Sequence, residues 1–248
     1  MGHFHTLMYH EIIKKDDFHM NSPSKIVVNQ GYEDVLPKPL FVFLEDFEAQ
    51  MQYLYENDYH TLGLEEIIDF FYNNKPLPEK SVLLTFDDLY QSVLHYAYPI
   101  LKKYQFHAVG FVVLDWLFNE FRPYANSQSV CLSKEELENM KDVFEYANHT
   151  KSLHTRNDGL TALQTVDEAD FRGDIMACED YVSTKKVFAY PFGILTEEVV
   201  AWLQDMGFHL AFTTEAGPND LGTDPLKLKR NGVFLGLGLD KFQEIFKK

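Results

Sequence analysis

Residues 81–88 read Ser-Val-Leu-Leu-Thr-Phe-Asp-Asp, an apolar run that ends in two adjacent acids. An apolar run without polar alternation is typical of a strand that is buried on both faces of a parallel sheet. Similar runs recur along the chain. We predict strands over 4–9, 59–62, 81–86, 107–113, 142–147, 186–190 and 208–213.

Segments with helical spacing of apolar residues lie between these strands. They predict helices over 46–57, 64–73, 90–104, 167–183 and 196–206. Capping patterns mark helix starts at Ser133, with Glu136 three residues on, at Thr165, with Glu168, and at Thr196. The alternation of strands and helices predicts an α/β fold, either a barrel or a doubly wound sheet.

The composition indicates one large folded domain. The chain has 248 residues, 22 Lys+Arg against 38 Asp+Glu, a net charge of −16 and 15% aromatic residues. We expect a single domain over residues 1–248. The apolar content excludes a disordered chain, and the acidic balance argues against a nucleic-acid partner. The sequence has no apolar run of about 18 residues, which excludes a membrane-spanning helix.

Cysteine usage and the N-terminus bear on the compartment. Cys131 and Cys178 exclude a disulfide framework, although a single bridge between them stays open. Residues 1–5, Met-Gly-His-Phe-His, lack the pattern of a signal peptide. We therefore expect a cytoplasmic location, or an extracellular or cell-surface one if an export segment has been removed. Residues 14–44 are polar and contain three prolines, which predicts a long loop that is either a functional lid or mobile.

Four polar clusters follow predicted strands. They are Leu7-Met8-Tyr9-His10-Glu11, Thr85-Phe86-Asp87-Asp88, residues 148–154 and Tyr190-Pro191-Phe192-Gly193. In parallel α/β folds, ligands bind at the carboxyl ends of the strands, and in barrels several strand ends supply the catalytic residues. We therefore expect the four clusters to meet in one site.

Asp87 and Asp88 could have two different roles in a metal site. Adjacent residues that leave a strand point in different directions. One carboxylate could bind a divalent cation while its neighbour faces a water molecule. The alternative is a helix N-terminus, where acidic side chains favour the helix dipole.

His149 and His154 are five residues apart, which does not place them on one helix face and therefore predicts a loop. Two histidines and one aspartate would form an open zinc site with three protein ligands, and the same set would hold cobalt or nickel. The alternative is that both histidines are solvated or act as caps.

His10 and the Pro191-Phe192-Gly193 segment each allow two interpretations. His10 could be a general acid, because the pKa of histidine is near neutrality, or a buried core residue. The Pro-Phe-Gly sequence predicts a turn, which could also direct a backbone N–H at a developing oxyanion. The chain has no Gly-x-Ser-x-Gly, His-Glu-x-x-His or P-loop motif, so no competing motif supports another chemistry.

Taken together, these motifs resemble those of the polysaccharide deacetylases (NodB-homology domain, carbohydrate esterase family 4). The resemblance covers nearly the whole chain and is carried, in order, by Thr85-Phe86-Asp87-Asp88, His149-Thr150 with His154, and Tyr190-Pro191-Phe192-Gly193. It implies a distorted (β/α)7 barrel. It also implies metal-dependent hydrolysis of N-acetyl groups from an N-acetylglucosamine-containing polysaccharide or oligosaccharide, with release of acetate.

The context of His10 is similar to that of a permuted branch, the poly-β-1,6-N-acetylglucosamine deacetylases. That branch carries its catalytic histidine near the N-terminus, and residues 226–230 of this chain, Leu-Lys-Leu-Lys-Arg, contain no histidine. The resemblance implies a divalent metal. Zinc is the favoured ion, and cobalt and nickel are the alternatives. The implied roles are metal binding by Asp88, His149 and His154, general base by Asp87, general acid by His10, and oxyanion and substrate binding by Pro191, Phe192 and Gly193.

The chain departs from the family pattern at four positions. Leu89 replaces a usual glycine, so the residue would be strained if the position needs a positive φ, or obstructive if substrate approaches closely. Ala189 stands where an arginine is common, which predicts that Asp87 lacks its usual orienting cation. Phe192 replaces a tyrosine, and Glu11 replaces an aspartate.

Two alternative functions stay open, one motivated by the missing signal-peptide pattern and one by these departures. The first is an enzyme of the same fold that removes acyl groups from a small N-acyl substrate in the cytoplasm. The second is a non-catalytic, glycan-binding relative, which Leu89 and Ala189 motivate.

Overall fold

The structure is a computed structural model that describes residues 2–247. Met1 and Lys248, the two ends of the predicted domain, lie outside the described residues. The strands are β1 (Phe4–Tyr9), β2 (Glu11–Ile13), β3 (Ser24–Val27), β4 (Val35–Leu36), β5 (Phe41–Phe43), β6 (His60–Thr61), β7 (Ser81–Asp87), β8 (Ala108–Val112), β9 (Ser129–Val130), β10 (Phe144–Asn148), β11 (Arg156–Asn157), β12 (Leu160–Thr161), β13 (Val187–Ala189), β14 (Leu210–Phe212), β15 (Pro218–Asn219) and β16 (Asn231–Gly232). The α-helices are α1 (Leu44–Glu56), α2 (Leu64–Asn73), α3 (Tyr98–Tyr104), α4 (Lys134–Glu138), α5 (Glu168–Tyr181), α6 (Glu197–Asp205) and α7 (Leu239–Glu244).

The main sheet curls into a distorted barrel. Its parallel strands lie in the order β14, β13, β10, β8, β7, β1. Residues 228–232 close it: Leu228 bridges Phe212 at the end of β14, and β16 pairs in parallel with β1. The distorted (β/α)7 barrel implied by the resemblance is therefore confirmed.

Alternate residues of β7 belong to two separate cores, because successive side chains of a strand point to opposite faces. Val82, Leu84 and Phe86 pack with α1 in an outer core. Leu83 packs inside the barrel, in a core to which α2 contributes. Asp87 lies on the same face of β7 as Leu83, so its carboxylate enters the barrel interior at the carboxyl end of the strand.

All seven predicted strands are present, and their ends differ from the prediction by no more than two residues. The predicted caps at Ser133 and Thr196 are confirmed, because each side chain accepts a hydrogen bond from the backbone three residues on. Cys131 and Cys178 are both buried free thiols. Within residues 2–247, no helix has the length and apolar character needed to cross a membrane.

The capping box predicted at Thr165 and Glu168 is wrong. Thr165 instead closes a 3-10 turn, Ala162–Gln164, by donating its N–H to the Ala162 carbonyl. The cap of α5 is Asp167, whose carboxylate accepts a hydrogen bond from the Asp170 N–H at 2.9 Å. The helix therefore begins later than the pattern predicts.

The helix predicted over 90–104 contains a π-helical turn. This turn spans Val93–Ala97, and the Tyr98 N–H donates to the Val93 carbonyl, five residues back. Pro99 follows directly and has no N–H to donate. The wider turn brings the chain into α3 despite this missing donor.

The long loop predicted over 14–44 is wrong in part, because the segment contains β3, β4 and β5. β3 pairs with β9, and β5 pairs with β2. β4 pairs with β3 inside the segment, but β3 and β5 also depend on partners elsewhere in the chain, so the polar pattern of the segment itself does not reveal them.

Candidate active site

A cleft of about 270 Å³ opens at the carboxyl ends of the barrel strands. Seven of the predicted site residues line it: His10, Asp87, Asp88, His149, His154, Phe192 and Gly193. Pro191 is buried within the turn that carries Phe192. The barrel thus brings together side chains from four distant parts of the sequence, as its topology predicts.

Asp88, His149 and His154 form a candidate metal site. One ligand atom from each of these buried residues lies within 4.8 Å of the other two. Asp88 Oδ1 is 3.4 Å from His154 Nε2 and 3.9 Å from His149 Nε2. Three protein ligands with this chemistry are typical of an open zinc site.

The hydrogen bonds around these three residues fit a cation. Among the described residues, Asp88 Oδ1 is buried without a hydrogen-bond partner, while its Oδ2 accepts a bond from Tyr90 Oη at 3.0 Å. His149 Nδ1 lies 2.7 Å from the Ala189 carbonyl. A carbonyl only accepts, so Nδ1 carries the proton and the Nε2 lone pair faces Asp88. The donor set therefore suits a divalent cation.

Burial keeps both histidines neutral. Loss of hydration lowers the pKa of His149 to about 4, with His154 as the second cause. The pKa of His154 is also lowered to about 4, again mainly by burial. Neutral imidazole is the form that binds a metal, so both side chains are ready to act as ligands at neutral pH.

Helix α5 holds the loop between the two histidines. The Asp174 carboxylate accepts hydrogen bonds from the Lys151 and Ser152 N–H groups at 2.7 and 2.8 Å, and from Ser152 Oγ at 2.6 Å. Asn148 Oδ1 accepts from the Thr150 N–H, and Asn148 Nδ2 donates to α5. The predicted loop position of both histidines is confirmed, and Asp174 is a contributor that the sequence analysis missed.

Asp87 is paired with a buried arginine. Arg230 Nη1 donates to Asp87 Oδ1 at 2.6 Å, and Arg230 Nε donates to the Thr213 carbonyl at 2.8 Å. Burial alone would raise the pKa of Asp87, but the adjacent Arg230 guanidinium outweighs it and holds that pKa well below its usual range. Asp87 is therefore a carboxylate at neutral pH.

The expectation that Asp87 lacks an orienting cation is wrong. Residue 189 is indeed alanine, but Arg230 reaches Asp87 from the segment that closes the barrel. The contact spans 143 residues of sequence. The basic residues Lys229 and Arg230 are the feature of the sequence that could have indicated a cation for Asp87, although nothing in the local pattern connects them with Asp87.

His10 lies beside Asp87 at the edge of the cleft. His10 Nε2 is 3.8 Å from Asp87 Oδ2, and the His10 side chain is 12% exposed. His149 Nε2 is 4.0 Å from the same oxygen of Asp87. His10 is thus neither a fully buried core residue nor one of the three clustered ligands, and a substrate in the cleft can reach it.

The predicted turn at Pro191–Gly193 is confirmed as a 3-10 turn. Phe192 has a left-handed backbone, with φ 58°, and its ring lies 4.4 Å from the ring of His154. A Cβ on Gly193 would lie 2.0 Å from Thr214 Oγ1, so only glycine fits there. This packing holds Phe192 directly beside the candidate metal site.

Leu89 is strained but does not obstruct the cleft. Asp88 and Leu89 both have positive φ, at 64° and 56°, which costs a non-glycine residue roughly 1 kcal/mol or more. The Leu89 side chain is fully buried. Its Cδ2 occupies space left by Gly110, where a Cβ would lie 2.9 Å away. The predicted strain is therefore present, while the predicted obstruction is not.

The chain matches the polysaccharide deacetylase family over residues 74–211, more than half of its length. It is 27% identical over 222 residues to the poly-β-1,6-N-acetyl-D-glucosamine N-deacetylase of Staphylococcus epidermidis, covering 85% of this chain and 72% of that protein. The protein of the same name in Staphylococcus aureus is 30% identical over 178 residues. That match covers 68% of this chain and 59% of the relative, so the chain spans less than two thirds of that protein.

Solved structures show the same fold. The deacetylase PplD of Streptococcus pyogenes, in complex with acetate, superposes with a TM-score of 0.77 at 21% identity and covers 98% of both chains. At this level of identity the likeness concerns the fold alone. The family match over more than half of the sequence, together with the staphylococcal relatives, confirms the enzyme class predicted from the motifs, a hydrolase of non-peptide carbon–nitrogen bonds. The chain belongs to the polysaccharide deacetylase family.

Proposed function

We propose that the chain is a metal-dependent N-deacetylase that removes acetyl groups from an N-acetylglucosamine-containing polysaccharide or oligosaccharide and releases acetate. One observation carries this proposal: two adjacent buried carboxylates have opposite surroundings. Asp87 is paired with Arg230, whereas Asp88 faces two neutral histidines. We further propose that residues 1–248 act as one catalytic domain.

In this proposal, Asp88, His149 and His154 hold the metal. Nitrogen and carboxylate ligands in a three-residue set favour zinc, with cobalt or nickel as alternatives. Such an ion supplies a Lewis acid and makes water nucleophilic near neutral pH. Two observations support this assignment: within residues 2–247 the buried Asp88 Oδ1 has no hydrogen-bond partner, and both imidazoles are neutral.

Asp87 acts as the general base and accepts the proton of the attacking water. Arg230 keeps Asp87 ionised and fixes its orientation. His10 then donates a proton to the amine nitrogen as the carbon–nitrogen bond breaks, which is consistent with its 3.8 Å distance from Asp87. The turn of Pro191, Phe192 and Gly193 orients the acetyl group, and its Phe192 N–H stabilises the oxyanion.

The substrate class is supported by the names of the relatives and by the lining of the cleft. The two staphylococcal relatives are named as deacetylases of poly-β-1,6-N-acetyl-D-glucosamine. Trp116, Phe192 and Phe234 line the cleft beside the charged groups. Apolar rings with a few convergent polar groups are typical of a site for a small organic unit, here an acetylated sugar.

One observation favours a second candidate, a deacylase of small N-acyl substrates. The cleft volume of about 270 Å³ is below the roughly 300–1,000 Å³ of sites for drug-sized ligands. This candidate fits a cytoplasmic location, whereas a polysaccharide substrate fits an extracellular or cell-surface one.

A substrate panel tests both candidates. Protein loaded with zinc, cobalt or nickel is incubated with β-1,6-linked N-acetylglucosamine oligomers and with small N-acyl amines and amino acids, and the acetate released is measured. We expect release from the oligomers and about one metal ion per chain by elemental analysis. Release from the small amides alone would support the second candidate. Full metal content in variants that lack His149 or His154 would contradict the assigned ligands.

A further inference from the structure

Residues 24–40, which we call the rim segment, lie along the mouth of the cleft. At one side the segment bonds to the loops that follow β8 and β10. The Asn29 N–H donates to the Trp116 carbonyl at 3.0 Å, and Gln30 Nε2 donates to the Ser152 carbonyl at 3.1 Å. The rim segment is therefore fixed to two neighbouring strand ends of the barrel.

A charged clamp strengthens this attachment. Arg156 Nε and Nη2 donate to the two carboxylate oxygens of Asp34 at 2.8 and 2.9 Å. Tyr32 Oη also donates to Asp34, at 2.7 Å, and accepts a weak bond from the Arg156 N–H at 3.3 Å. A bidentate pair fixes geometry as well as energy. All three residues line the cleft, so the clamp forms part of its wall.

The rim segment is also fixed at its other end. The Leu235 N–H donates to the Pro39 carbonyl at 3.0 Å, next to Phe234, which lines the cleft. On the clamp side, the Arg156 guanidinium lies 5.8 Å from the centre of the Phe192 ring. The wall thus runs from the loop after β10, past the loop after β8, to the segment that follows β16.

A groove that binds the middle of a polymer must be open at both ends. Here the clamp forms part of the wall on one side of the site, and the volume of about 270 Å³ is below the roughly 300–1,000 Å³ of sites for drug-sized ligands. We infer that the clamped rim segment makes this site a blind cleft that accepts the end of an N-acetylglucosamine chain or a short oligomer, not an internal residue of a long polymer. The inference rests on the proposed function and specifies its substrate.

The first test is binding without turnover. The Asp87→Asn protein is mixed with β-1,6-linked N-acetylglucosamine chains of several defined lengths, and the number of protein molecules per chain is measured by sedimentation. End-on binding predicts one bound protein per chain whatever its length. A number that rises in proportion to chain length would overturn the inference.

The second test removes the clamp. In the active protein, Asp34→Ala and Arg156→Ala should move deacetylation from the terminal sugar towards internal sugars, as read by fragment mass spectrometry. The charge-reversed double variant Asp34→Arg/Arg156→Asp restores an ion pair, so it should return deacetylation towards the terminal sugar. Arg172→Ala removes an arginine that pairs with Glu168 on α5 and is the matched control. Internal deacetylation by the unmutated protein, or no change in either clamp variant, would contradict the inference.

Failure of the inference is distinguishable from failure of the proposed function. Acetate release from an oligomer by the unmutated protein supports the function whatever the position of the reacting sugar. If no N-acetylglucosamine compound is bound or turned over by metal-loaded protein, both the proposed substrate and the end-on inference are wrong.

Discussion

Arg230 determines the charge state of Asp87. Its side chain is completely buried, and it is joined to Asp87 on one side and to the Thr213 carbonyl on the other. A carboxylate at this depth without a cation would be strongly disfavoured, because burial penalises its charged form. The proposed base is therefore available only as long as this ion pair is intact.

Replacing Arg230 tests this dependence. Arg230→Met leaves a buried charge without its partner, which typically costs about 3–5 kcal/mol of unfolding free energy. We also expect acetate release to fall on the order of 100-fold, the lower range for a lost general base. Urea unfolding and an acetate assay measure the two effects.

Arg230→Lys is the matched variant. It keeps the positive charge but loses the forked geometry that reaches both Asp87 and Thr213. We expect it to recover part of the stability and part of the activity. Normal activity and stability in Arg230→Met would mean that the pair does not control Asp87.

Helix α5 positions the loop of the candidate metal site, and most of its contacts with the loop come from Asp174. Asp174 accepts three hydrogen bonds from residues 151 and 152, midway between His149 and His154. These bonds fix a loop that has no regular structure of its own. The arrangement of His149 and His154 therefore depends on Asp174, whose hydrogen bonds go to the loop between them, and Asp174 is a positioning residue.

We predict that Asp174→Ala weakens metal affinity about 10- to 100-fold, the usual range for the loss of an outer partner of a metal site. Competition with a chelator measures the affinity, and this readout does not require activity. Asp174→Asn should keep part of the hydrogen bonding to the loop, so its metal affinity should lie between those of the unmutated protein and Asp174→Ala. Asp180→Ala, at an exposed position of the same helix, is the control. Equal affinities in Asp174→Ala and Asp180→Ala would contradict the positioning role.

The barrel strands could be predicted because their signal is local. A run such as residues 81–87 is apolar on both faces, and the sheet buries both faces. The strands of residues 14–44 could not be predicted, because they consist of only two to four residues and two of the three strands pair outside the segment: Ile26, for example, pairs with Ser129.

The candidate site also contains residues that could be predicted from the sequence and one that could not. Asp87, Asp88, His149 and His154 follow strands that are themselves recognisable, so the edge of the sheet where they meet could be predicted. Arg230 could not, because its role depends on how the last segment closes the barrel.

At the scale of the whole molecule, the C-terminal segment covers the first strand. His5 of β1 is 3% exposed, and its ring packs edge-on against Phe246 at 5.4 Å. Among the described residues, neither ring nitrogen of His5 has a hydrogen-bond partner. Burial, with a smaller effect of His3, lowers the pKa of His5 to about 4.

This burial predicts a pH dependence of stability. Below about pH 6.5 the unfolded chain protonates His5, whereas the folded protein resists protonation until about pH 4. Stability is therefore lost as the pH falls through this window. We compare the urea midpoints of His5→Phe and the unmutated protein at two pH values. We expect the midpoint of His5→Phe, minus that of the unmutated protein, to be larger at pH 4.5 than at pH 7.5. A difference that does not change with pH would show that His5 does not contribute.

The most direct test of the central claim compares the unmutated protein with Asp87→Asn in one experiment. Both proteins are loaded with zinc, their metal content is measured, and acetyl loss from β-1,6-linked N-acetylglucosamine oligomers is followed by mass spectrometry. We predict equal metal content, acetyl loss with the unmutated protein, and none with Asp87→Asn. Equal acetyl loss with both proteins would contradict the assignment of Asp87 as the base, and no acetyl loss with fully loaded unmutated protein would contradict the proposed deacetylase.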